Sequence, residues 1–191
     1  LQADGAEAID LLPLALPASW MVNAKATSRA MQRWLAPPAR TAWSIVLDGL
    51  AFDLAPDAWA DVPAEERAAI AAAVSVLADG NDGATLAAVT KVLALLRPQL
   101  VPLMDDAALW FSLELVPEPT TADAPAAGAG AFVPMLDWFT AQVRDNDARL
   151  VIVASEHTQA VLDAAQALDR LLWVESWGHR LRPSRRGAGP G

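Results

Sequence analysis

The sequence predicts a single α/β domain: a small mixed β-sheet packed with helices, carrying an inserted helical hairpin. Three observations point there. Apolar residues spaced three and four apart give way, along the chain, to runs in which apolar and polar residues alternate one by one, the periods of helix and strand. A wholly apolar run, Leu150–Val153, sits between two helical stripes, the rhythm of a layered α/β protein. Finally, 191 residues with 54% apolar content suffice for one sizeable core.

In chain order, Asp10–Leu16 mixes Leu with Pro13 and reads as a short edge strand, where a missing N–H is tolerated. Asn23 can cap a helix over 24–35, in which Thr27, Met31 and Trp34 share a stripe opposite Lys25, Arg29 and Arg33, and Pro37-Pro38 ends it. Trp43, Ile45 and Leu47 alternate with Ser44, Val46 and Asp48, so 41–47 reads as a strand that turns at Asp48-Gly49. Pro63 followed by Glu65 and Glu66 opens a helix, because proline fits the first turn and the dipole there favours anions. Ile70, Val74 and Leu77 stripe it and Gly80 stops it. Beyond Asn81-Asp82-Gly83, a second helix carries Leu86, Val89, Leu93 and Leu96, and the two form the inserted hairpin.

Leu109, Phe111, Leu113 and Leu115 alternate with Trp110, Ser112, Glu114 and Val116, a second strand. Residues 117–130 hold three Pro and two Gly with almost no large apolar side chain, so a mobile loop is expected. Phe132, Leu136, Phe139 and Val143 stripe a helix, 145–148 turns, and Leu150–Val153 forms a central strand. Ser155 then caps a last helix with Val161, Ala165, Leu168 and Leu172 on one face. This places one domain over 1–177 and a basic disordered tail over 178–191.

Composition narrows the function. The net charge is −9, and residues 1–177 alone hold 10 basic against 23 acidic side chains, so the body repels phosphate and nucleic-acid binding is disfavoured. Without cysteine there is no disulfide, thiol nucleophile or thiolate metal site. The apolar stretch 68–78 is far short of the roughly 20 residues a spanning helix needs. Asp4, Glu7 and Asp10 precede the apolar stretch 11–22 where a signal peptide wants positive charge, so the expected compartment is the cytoplasm.

Ala148–Ser155, followed by Val161–Ala165 and Leu168-Asp169-Arg170-Leu171-Leu172, resembles the closing strand and helix of STAS domains, the anti-sigma-factor-antagonist family. Ala126-Ala127-Gly128 running into Phe132–Phe139 resembles that family's loop and helix, where Asp-Ser-Ala-Gly is usual, and Trp43–Leu50 is similar to its central strand. The resemblance covers about half the chain. It implies a STAS-like α/β fold and a regulatory module that docks a partner such as a kinase-like anti-sigma factor or a transport component. Pro125 and Ala126 stand where the phosphoacceptor loop would have Asp and Ser, so the serine switch is missing and Thr120 and Thr121 are the nearby hydroxyls.

Catalytic equipment is sparse. His157 falls near the start of the expected last helix, a place where α/β sites lie, but no Ser-His-Asp spacing or Gly-x-Ser-x-Gly elbow accompanies it. His179 stands near the tail. Asp79-Gly80-Asn81-Asp82-Gly83 starts like a calcium loop, yet Thr90 occupies the twelfth position, where a bidentate Glu is required, so it reads as a turn. Asp48, Asp53, Asp57 and Asp61 read as a solvated acidic rim. No phosphate-binding glycine motif is present, and no cofactor or metal is expected.

These readings favour a non-enzymatic module with a protein partner and homo-oligomerisation possible. The candidate partner-binding residues are Ala126, Ala127 and Gly128 in the loop, Trp173 and Trp177 as interface anchors, and Arg180, Arg182, Arg185 and Arg186 as forks for carboxylate or phosphate. Two alternatives stand beside this one. The first is a small hydrolase or transferase using His157 with Glu156 and the acids near Asp48; the second is an acidic immunity-type or scaffold protein that neutralises a basic partner.

Overall fold

The computed structural model describes residues 5–22, 24–51, 54–104, 128–157 and 164–181. Among them there is no strand, and the expected α/β sheet is replaced by helices: α1 (Gly5–Ala18), α2 (Ser28–Trp34), α3 (Pro37–Gly49), α4 (Ala64–Leu77), α5 (Leu86–Leu96), α6 (Phe132–His157) and α7 (Ala164–Leu181). Short 3₁₀ turns at Ser19–Val22, Ala58–Asp61, Asn81–Gly83 and Ala129–Ala131 join or precede them.

Each lost strand has a physical reason. In α1 the buried residues are Ala8, Leu12, Ala15 and Leu16, a spacing of four, three and one that only a helix supplies. Pro13 and Pro17 lie inside this helix on its exposed side, so water can solvate the carbonyls they leave without an N–H donor. In α3 the buried set is Ala39, Ala42, Trp43, Val46 and Leu47, while Ile45 is exposed. The alternation of Trp43, Ile45 and Leu47 therefore counted Ile45 inward and Val46 outward, the reverse of the structure. Pro37-Pro38 begins α3 at its first two positions and does not merely end the helix before it.

The third correction is the apolar run Leu150–Val153, which is helical. The backbone passes through 145–148 without turning and through Ser155 without a cap, so one 26-residue helix replaces a helix, a turn, a central strand and the start of another helix. Leu150 is buried while Val151 and Ile152 are exposed. The segments that resemble STAS strands, 43–50 and 148–155, are thus helical, and the resemblance lends no support to a sheet. The strand expected at 109–116 and most of the 117–130 loop lie outside the described residues.

Capping and turn chemistry agree with the structure around α4, α5 and the 79–83 turn, though not at 145–148 or Ser155, which α6 runs through. The helix expected after Pro63 is α4, with Pro63 at its N-cap and Glu65 and Glu66 in its first turn. The helix over 86–96 is α5, capped by Thr85, whose hydroxyl accepts from the Ala88 N–H at 3.2 Å. The helix after 23 begins later than expected, with Thr27 as its cap.

Packing follows from the stripes. α4 lies chiefly against α3 and less against α5, so the hairpin partner of α4 is its predecessor as much as its successor. α1 crosses α3 and α5. Every residue of α5 but Leu95 is buried, Thr90 and Lys91 included, which makes it the central helix. Trp43 sits at the middle of the core with Trp34 edge-on at 5.8 Å between ring centroids, and Trp34 donates its indole N–H to the Leu77 carbonyl at 2.9 Å. α6 reaches this body through Phe132, Met135, Leu136 and Phe139, and α7 packs on α6. The backbone of α7 continues through 178–181; the rest of the 178–191 segment lies outside the described residues.

Candidate functional site

α7 is held on one side and open on another. Ala164, Ala165, Ala167 and Leu172 are buried, and Asp169 accepts a hydrogen bond from the Leu103 N–H at 2.8 Å in the turn after α5. Leu171 and Val174, three residues apart and so on one face, are 40% and 57% exposed. Arg170 is exposed beside them. The backbone of the same helix carries Trp173, Trp177 and Arg180, three of the expected partner-binding residues. Gly128, another of them, is exposed at the 3₁₀ turn that leads into α6, on a separate element. Ala126, Ala127, Arg182, Arg185 and Arg186 lie outside the described residues.

Burial pushes the Asp169 carboxyl up to about 6, against the opposing pull of the Leu103 N–H and the Arg170 charge. Arg29, Arg33, Asp79 and Asp82, also noticed in the sequence, are engaged with one another in holding the fold. Arg33 meets Asp82 at 2.8 Å and Asp79 at 3.4 Å, and Arg29 approaches Asp82 at 3.8 Å. Burial raises the Asp79 carboxyl, yet hydrogen bonds from the Asn81 side chain and backbone and the charge of Arg33 together leave it below its ordinary value. The sequence 79–83 is thus a turn fastened to α2, as expected from its missing twelfth ligand. No group of three or more metal-type ligands occurs among the described residues, and Asp48, Asp57 and Asp61 are exposed.

His157 ends α6; the helix that follows it does not begin there. The expected position near a helix start is therefore reversed: the nearby dipole end is the negative one.

A further cluster ties α6 to the body. Trp59 is buried and donates its indole N–H to Asp137 Oδ1 at 2.7 Å; Arg67 of α4 donates to the same oxygen at 3.1 Å, and its guanidinium lies 6.0 Å from the centroid of the Trp59 ring. One carboxylate thus fixes the 58–61 turn, α4 and the second turn of α6 together. Trp59→Phe keeps an aromatic ring but removes the donor and leaves part of the indole's buried volume empty. We expect it to cost about 2–4 kcal/mol in urea unfolding, the loss of a hydrogen bond to a charged group together with the cavity. Asp137→Asn, which keeps an acceptor, should cost less, and equal losses in the two variants would contradict this assignment.

Sequence reasoning missed Arg97, Asp137, Asp169, Leu171 and Val174. Leu171 and Val174 were hidden because adjacent apolar residues give no sign of which one faces out; Asp137 and Asp169 stand in apolar stripes, and an acid inside such a stripe is the signal that was available. No protein-family model matches this chain, and neither a curated protein nor a solved structure is significantly similar to it. No helix among the described residues is long and apolar enough to cross a membrane.

Proposed function

We propose that this chain is a non-enzymatic protein-interaction module that docks its partner on the outward face of α7. The observation that carries the reading is the pair Leu171 and Val174, exposed one turn apart on a helix whose opposite side is fastened to the body. Apolar side chains presented together on a rigid helix face are the usual anchors of helix-in-groove recognition. Trp173 and Trp177 belong to the same helix, and tryptophan is enriched among the residues that dominate interface energy. Arg170 and Arg180 add a basic character that the acidic body lacks, which suits a partner surface bearing carboxylates.

The test uses the full chain as bait in its source cell. A single stoichiometric partner is expected, and the double variant Leu171→Asp/Val174→Asp should bind it at least about tenfold more weakly with a thermal midpoint lower by only about 5 °C, because both side chains are partly exposed. Undiminished binding by that variant would move the docking face elsewhere. If no partner is captured and a hydrolase or transferase activity disappears in His157→Ala, the chain is an enzyme and the proposal falls.

A further inference from the structure

We infer that the end of α1 and the 3₁₀ turn after it form a ridge that docks this chain shallowly on a membrane surface bearing anionic lipid. Residues 11–22 contain no charged side chain. Leu14 and Pro17 are exposed in the last turns of α1, Leu14 to 69%, and the half-exposed Trp20 and the 91% exposed Met21 follow in the turn Ser19–Val22. The ridge is seated from behind. Leu12, Ala15 and Leu16 are buried, as is Ser19, whose hydroxyl donates to the Leu16 carbonyl at 2.6 Å. Apolar side chains carried outside a packed backbone cost little further ordering entropy, so most of the gain from leaving water goes into binding.

Side chains that stand this far out form no walled groove for a protein of complementary shape, and an acyl layer requires none. Trp20 donates its indole N–H to the Ala26 carbonyl at 2.9 Å, so the ring can leave water with its polar atom already paired. The Ala24 N–H donates to the Ser19 carbonyl at 3.0 Å, which folds the chain back over the turn and brings the backbone of the exposed Lys25 next to Trp20. Arg29 is exposed too, with Asp82 at 3.8 Å; Arg33 is engaged by Asp82 and Asp79, and Arg40 by Asp10 at 3.3 Å. These four cations are the only charged side chains between residues 11 and 47. With the three carboxylates they meet they sum to +1, whereas the remaining 10 basic and 20 acidic side chains sum to −10. The ridge thus lies where an acidic chain turns locally basic, the complement of an anionic headgroup. Pro13 and Pro17 leave α1 carbonyls without donors, and these must stay hydrated, so the ridge enters no deeper than headgroup level.

Flotation of the full chain with vesicles of phosphatidylcholine alone, and of phosphatidylcholine mixed with phosphatidylserine, tests this docking independently of the α7 face. The chain should float with the mixed vesicles. Leu14→Ser/Met21→Ser should lower that partitioning by at least about tenfold with an unchanged circular dichroism spectrum, because both side chains stand largely outside the packed body. Lys25→Gln/Arg29→Gln should lower it by about tenfold on mixed vesicles and leave phosphatidylcholine vesicles unaffected. No binding to either vesicle, equal binding to both, or undiminished binding by Leu14→Ser/Met21→Ser overturns the proposal. If vesicles are not bound and a captured protein is lost in Leu14→Ser/Met21→Ser, the ridge belongs to a protein partner and the lipid assignment falls.

Discussion

Arg97→Met should destabilise the protein by about 3–5 kcal/mol, with a thermal midpoint lower by roughly 10 °C, the largest effect expected of any single polar substitution here. Arg97 is 1% exposed. It is the C-cap of α5, and it donates from Nη1 to the Leu96 carbonyl at 2.8 Å, from Nη2 to the Leu47 carbonyl at 3.2 Å and from Nε to the Leu50 carbonyl. Leu47 and Leu50 belong to the end of α3, where the last carbonyls have no partner within their own helix. One guanidinium therefore closes the C-terminal ends of two helices, and both present it with the negative end of their dipoles. Burial lowers its pKa while the charge of Asp48 raises it, and a guanidinium stays protonated under such a balance. Methionine would fill much of the volume but leave buried carbonyls without donors, each costing about 1–3 kcal/mol. Arg97→Lys, which keeps the charge and loses the fork, should fall between the two in urea unfolding. A methionine variant as stable as the parent would show that the guanidinium does not bridge α3 and α5.

Gly83→Ala should cost about 2–4 kcal/mol and Gly80→Ala only about 1, although both glycines have φ +79°. The shared part is the left-handed backbone, which alanine adopts at a small penalty. The difference lies in space. A Cβ at Gly83 would stand 2.4 Å from the Lys25 carbonyl oxygen and 3.1 Å from its carbon, whereas at Gly80 nothing lies within 4 Å. Backbone cannot swing aside as a side chain does, and the 79–83 turn is pinned there by the Thr27 N–H bonded to the Asp82 carbonyl at 3.0 Å and by Arg33. Gly83→Ala must therefore shift α2 or break the turn. Comparable unfolding midpoints for the two alanine variants would refute the close approach.

What was legible in the sequence depended on local chemistry. Pro63 with two following glutamates and the glycines of 79–83 each mark a backbone event that a few neighbouring residues dictate, and α4 and the turn after it stand where those marks place them, as α5 stands where the spacing of Leu86, Val89, Leu93 and Leu96 places it. The stripe Leu86, Val89, Leu93 and Leu96 marked one buried face of α5; that Thr90 and Lys91 are buried as well was decided by packing. The reading failed wherever it had to choose a period from a short apolar run. Trp43, Ile45 and Leu47 satisfy a strand's alternation, and the same stretch satisfies a helix through Trp43, Val46 and Leu47; nothing within five residues separates them. The 42 alanines sharpen the ambiguity, since a small side chain is admitted to buried and exposed positions alike and blurs both periods.

By itself, then, the sequence determined where α4 opens, the stripe of α5 and the turn between them, along with a net charge of −9. It could not decide which long apolar segments pair with which. Leu171 and Leu172 are chemically identical neighbours, yet one is 40% exposed and the other buried. Their difference arises from α6 lying along one side of α7 and from Asp169 finding a backbone N–H more than sixty residues away. Hydrophobic free energy is nearly indifferent to which of two equal side chains it buries, so only the packing of the whole chain decides the face left open to a partner.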